Sequence, residues 1–200
     1  MKNYLLLGIG LFVLLLGNSC TQKESTTYIY DDFKTIHPDF KLNSEAVSDG
    51  KLLADFKCEK KVNGVENSIP LSWSNVPEGT KSLAVVMYHY PKKDDKSEIN
   101  SYLILWGIDP SVSKIPYKMA NNPNWFMGSN KDGNAISYTS PCSRGPGEHT
   151  YTIALFALSE KPKLLPESNS LDVDLNTFSK AISSDMIIDI TTLTFIDSNS

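Results

Sequence analysis

The chain has 200 residues, 40% hydrophobic and 21% charged, with a formal net charge of -4. That is an ordinary globular composition, enough for one domain with a single core. Its cations are scattered, Lys92, Lys93 and Lys96 being offset by Asp94, Asp95 and Glu98, so no basic stripe exists to track phosphates and nucleic acid is not an expected partner.

Taken from the N-terminus, Lys2 precedes an apolar run from Tyr4 to Leu16, which ends in Gly17, Asn18, Ser19 and Cys20. The run is shorter than the roughly 20 residues a spanning helix needs and reads as a secretory signal. A cysteine at the cleavage point resembles a bacterial lipoprotein signal, which implies residues 1–19 as the signal and a lipidated Cys20 as the first mature residue. Gly17 stands where that pattern usually has a branched apolar residue, so a plain secreted protein cut nearby is the alternative. Residues 20–37 are mostly polar and carry charges of both signs, the composition of a tether. The folding domain is then residues 38–197, exported and held to a membrane of the bacterial cell envelope. His37, before Pro38, reads as plain surface.

Alternating or continuous apolar runs predict strands over Phe40 to Val47, Leu52 to Cys58, Leu71 to Trp73, Leu83 to Tyr90, Ser101 to Ile108, Thr150 to Leu158 and Met186 to Ile196. The charged stretch after Tyr90 reads as a solvated hairpin tip, and Trp125 with Phe126 as a staple holding a long loop to the core, a contact patch being the alternative. Leu175, Phe178, Ala181 and Ile182 recur at helical spacing and predict one helix from Leu175 to Ser184. Strands joined by Pro-bearing connections suggest two packed sheets. With Cys20 acylated, Cys58 and Cys142 remain as an even pair, and export permits a bridge between them; two separate thiols are the alternative.

Three segments carry a closer likeness: IPLSWSNVPEGTKS from Ile69, YLILWGIDPS from Tyr102, and SPCSRGPGEHTY from Ser140. In that order they resemble the phosphatidylethanolamine-binding protein family, in its bacterial YbhB/YbcL-like, Raf-kinase-inhibitor-like branch. The resemblance implies a mainly β fold, an antiparallel sandwich of a large central sheet and a smaller one, with one or two short helices near the C-terminus. It also implies a small anion pocket at an edge of the main sheet, with Pro141, His149 and Tyr151 falling on the last motif. Thr150 replaces the family's arginine, His89 falls where an aspartate is usual, and Tyr102 falls where a histidine is usual. The expected pocket is therefore His89, Tyr102, Pro141, His149 and Tyr151, a set of donors from which the carboxylate has gone. Its expected ligand is a phosphate, another small anion or a phospholipid head group, with no cofactor.

An enzyme has little support in the residues, since no GxSxG elbow, HExxH helix or CxxC pair is present. No metal site is expected, because zinc at His89 and His149 would need a further ligand such as Cys142. A Cys142 nucleophile with His149 as base would require a free thiol, which a bridge to Cys58 would consume. Asp132 sits in a turn sequence and reads as a turn former. The remaining alternative is an envelope protein-interaction or protease-inhibitor module using the pocket rim, with no partner identified by the residues.

Overall fold

The structure is a computed structural model that describes residues 35–58, 67–92, 96, 98–142 and 145–199. The signal, Cys20 and most of the tether lie outside the described residues. No helix among the described residues is long and apolar enough to cross a membrane.

The architecture follows from strands that are apolar on both faces. Strand β5 (Ser82–His89) is buried along its whole length, and β6 (Asn100–Ile108), β9 (Gly147–Leu158) and β10 (Ile187–Asn199) join it in one sheet. Adding β2 (Val47–Ser48), β3 (Lys51–Leu52) and β8 (Phe126–Met127) gives seven strands in the order β2-β3-β10-β9-β5-β6-β8. A smaller sheet of β1 (Lys41–Asn43), β4 (Leu71–Ser74) and β7 (Lys114–Ile115), ordered β1-β4-β7, packs on one face. Leu83, Val85 and Met87 of β5, with Ile153 and Leu155 of β9, point into the core beneath it. The alternate residues Ala84, Val86, Ala154 and Phe156 meet a second core. Leu175, Phe178 and Ala181 of the helix α1 (Leu175–Ala181) complete that second core. A strand covered on both faces has no solvent side on which to alternate, hence the continuous apolar runs.

Three expected elements differ. Phe40 to Val47 is not one strand, because Ser44 Oγ accepts from Ala46 N at 3.2 Å and donates to Pro70 O at 2.6 Å, bending the chain between β1 and β2. Leu52 to Cys58 leaves the sheet after β3 and forms a short 3-10 turn, Ala54–Phe56, that crosses toward the loop after Tyr138. The helix stops at Ala181 instead of Ser184: Asp174 caps its start by accepting from Thr177 N at 2.7 Å, and a second 3-10 turn, Ser184–Met186, follows it. Trp125 is a staple as expected, buried and donating its indole N–H to Ala120 O at 2.7 Å.

His37 is exposed, as expected, but it also bonds a buried acid. Asp189, 0% exposed, accepts from Ile36 N at 2.9 Å, His37 N at 2.7 Å, His37 Nδ1 at 2.9 Å and Ile190 N at 2.8 Å. Thr35 Oγ1 adds a bond to Ile190 O at 2.8 Å. The start of the domain is thus fastened to β10 by a buried carboxylate whose charge backbone amides satisfy.

Asp189→Ala should lower stability by about 2 kcal/mol, since it orphans one buried and three part-buried donors, whereas His37→Ala should cost less than about 1 kcal/mol. Urea denaturation midpoints of the two variants check the difference.

Candidate functional site

The site is built at one end of the β5/β9/β10 ladder. Antiparallel pairing sets His89 of β5 opposite Tyr151 of β9, and His149 of β9 opposite Asp197 of β10. Strand alternation turns His89, His149, Tyr151 and Asp197 to the face shared with the first core. The imidazole of His89 stacks on Tyr151, with centroids 4.7 Å apart and planes 22° apart, and meets His149 edge-on at 5.8 Å. Tyr151 in turn stacks on Phe195 at 5.6 Å. Tyr102 approaches from β6, its ring 5.1 Å from that of Tyr151 and its hydroxyl hydrogen-bonded to the Tyr151 hydroxyl.

The loop over this cluster is fixed from two sides. Thr139 N donates to Tyr102 O at 2.8 Å, tying the loop to β6. Pro141 is buried, and its carbonyl accepts from Cys58 N at 3.0 Å. Ser140 Oγ donates to Phe56 O at 3.1 Å. Cys58 and Cys142 are joined by a disulfide, with Cα atoms 4.6 Å apart, so in this form Cys142 has no thiol to serve as a nucleophile. Four of the five expected pocket residues, His89, Tyr102, His149 and Tyr151, therefore meet as an aromatic cluster, while Pro141 lies on the loop that Thr139 ties to Tyr102.

Their chemistry differs from an all-donor set. The Nδ1 of His89 lies 2.9 Å from Thr150 O, and the Nε2 of His149 lies 3.2 Å from Gly145 O. A carbonyl only accepts, so those nitrogens carry the protons, and the other nitrogen of each neutral ring is a bare acceptor. Each ring can offer a donor to a ligand only when protonated. Burial holds the His89 imidazole below the ordinary histidine range; its hydrogen bond to Thr150 works in the opposite direction, and His149 lowers it further. Burial also pushes the Tyr102 phenol well above the usual tyrosine range, helped by Tyr151 and then by the charges of Asp132 and Asp197. The Tyr102 phenol stays protonated.

Nor has the carboxylate gone: it comes from another strand. Asp197 is 1% exposed, and the ammonium of Lys57 lies 2.7 Å from its Oδ1. Sequence reasoning missed both residues. The available signal was the alternation Leu193, Phe195, Asp197, which places an acid in line with core residues. Asp132 does form a turn, its N donating to Asn130 Oδ1 at 3.2 Å, and its charge reaches Tyr102 as well.

Beside the cluster, a cleft of about 390 Å³ is lined by His89, His149, Tyr90, Pro91, Glu148 and Thr150, among others. It opens from the end of the ladder, and the two histidines are the expected site residues that reach it. Among the described residues, no group of three metal-ligating side chains is assembled.

A family model, "Phosphatidylethanolamine-binding protein", matches residues 43–193. A UPF0098 protein of Methanothermobacter thermautotrophicus is 26% identical over 136 residues, covering 66% of this chain and 85% of its own. A UPF0098 protein of Aquifex aeolicus is 31% identical over 138 residues, covering 63% and 74%. Two solved structures share the fold. A phosphatidylethanolamine-binding protein homologue of Chlamydia trachomatis has a TM-score of 0.64 at 24% identity, covering 82% of this chain and 100% of its own. YbcL of E. coli has a TM-score of 0.62 at 22% identity, covering 81% and 99%.

Because the unfolded chain protonates His89 more readily than the folded one, this residue's contribution to stability is complete above the ordinary histidine range. It is lost as pH falls from there toward the depressed folded value. Ring NMR titration should place the His89 midpoint below the ordinary value, and His149→Ala should raise it.

Proposed function

Since the chain belongs to the phosphatidylethanolamine-binding protein family, we propose that it is a binding protein whose His89 and His149 take a small anionic group, a phosphate or the phosphate of a phospholipid head group. The observation that carries this reading is the pair of imidazoles 5.8 Å apart at the mouth of a cleft, each with one nitrogen engaged by a backbone carbonyl. Two neighbouring imidazoliums repel, and an anion between them removes the repulsion while accepting from both free N–H groups. Binding and protonation therefore support each other, and affinity rises as pH falls through and below the ordinary histidine range. Tyr102, Tyr151 and Pro141 form the rigid backing of this site rather than its donors.

The protein does this, in our reading, outside the cytoplasm. Residues 1–19 direct export, Cys20 carries the lipid, and the tether that follows it ends where residues 35–37 are fastened to Asp189 and Ile190 at the start of the binding domain. Several acyl chains, at about 0.8 kcal/mol per buried methylene, make such an anchor effectively permanent.

Thermal unfolding at pH 6 and pH 8, with and without phosphate or phosphoethanolamine, tests the site. Ligand at about 100 times its dissociation constant should stabilise the parent by roughly 2.7 kcal/mol. The same ligand concentration should do less at pH 8 and nothing for His149→Ala or His89→Ala. Equal stabilisation of parent and variants would sink the reading. Separately, Cys20→Ala should shift the protein from the membrane fraction to the soluble fraction; unchanged membrane association would remove the anchor.

A further inference from the structure

Among the described residues, the lining of the cleft carries no permanent cation. Thr150 stands where the resemblance places an arginine, and both histidines are neutral unless protonated. A fixed positive charge, which does not itself line the cleft, is held by the acid paired across the ladder with His149. Lys57 occupies the segment that crosses from β3 to the site loop, and that segment is fastened at three points: Ser140 Oγ to Phe56 O, Cys58 N to Pro141 O, and the Cys58–Cys142 disulfide. Its side chain is 25% exposed, and its ammonium sits 2.7 Å from Oδ1 of Asp197, the cross-strand neighbour of His149.

That ion pair is incomplete as a hydrogen bond. The ammonium donates to Ser198 O at 3.2 Å, while Asp197 Oδ1 is near the charge but has no aligned donor. A lysine carries a compact charge on a flexible stem, and side-chain rotation alone can move it between acceptors. We propose that Lys57 is a ligand-contacting cation of the histidine site, delivered there by the Cys58–Cys142 staple and resting on Asp197 until an oxyanion arrives. This rests on the anion-binding reading above. It assigns the site a phosphate-like oxyanion with at least two acceptor oxygens free, one for an imidazolium and one for the ammonium. Asp197 is the competitor that sets how much of the charge of Lys57 is available.

Calorimetric titration of inorganic phosphate into the full chain in detergent at pH 6 tests this. Lys57→Met should weaken binding roughly tenfold or more, the effect of losing one charge-assisted hydrogen bond. Asp197→Asn should tighten it. The double variant Lys57→Met/Asp197→Asn leaves no buried carboxylate unpaired and so keeps the fold testable. It should bind as weakly as Lys57→Met. If instead the double variant matches the parent, the two charges act only from a distance and direct contact is overturned. If His149→Ala loses phosphate while Lys57→Met keeps it, the histidine site stands and the role of Lys57 falls. A parent that binds no phosphate at pH 6 overturns both.

Discussion

Everything at the site depends on the pairing of β9 with β5 on one side and β10 on the other. Pairing of Met87 with Ile153 and of Phe195 with Tyr151 fixes three strands in one register. A slip of one residue along β9 would turn Tyr151, Ile153 and Leu155 from the first core to the second, and would carry His149 to the opposite face. Both faces of β9 are buried from Ile153 to Leu158, so either core resists such a slip. The positions of the histidines are therefore set by hydrophobic burial well away from them. The site inherits its precision from the ladder.

The cover over the site is built on a different principle. Residues 54–58 and 138–142 are irregular, and backbone that is not in a ladder needs other partners. Here the two segments satisfy each other, through Cys58 N to Pro141 O and Ser140 Oγ to Phe56 O, with the disulfide closing the junction. Cys58 itself adopts a left-handed backbone, φ 49°, which a non-glycine residue seldom takes without such constraints. The arrangement sets a buried acid, Asp197, paired with a largely buried lysine, within electrostatic reach of the Tyr102 phenol, which does not ionise. In that environment charges interact more strongly than in water, and His89 feels the neighbouring His149.

Local pattern was enough for the central strands, because continuous apolar runs such as Leu83 to Tyr88 have few alternatives to a doubly covered strand. It failed where side chains compete with the ladder. Ser44 bends the first strand through its hydroxyl, and Asp49 with Gly50 turns β2 into β3 using φ values of 48° and 70°. That Asp-Gly pair is a strong hairpin signal that the apolar pattern alone overlooks. The resemblance located the aromatic cluster but not its charges. Lys57 and Asp197 lie outside the three matched segments, and the tautomers follow from Thr150 O and Gly145 O, which no side-chain pattern encodes.

The buried clasp on Asp189 lies at the far end of the same ladder. Asp189 pairs with Ala157 and Asp197 with His149; at the rise of a strand those rungs are about 26 Å apart. Whatever precedes Thr35 in the chain therefore joins the domain at the pole opposite the histidines. A pull transmitted through that junction loads the bonds from residues 35–37 to Asp189 and Ile190 first. The end of the ladder that carries the histidines lies outside that load path.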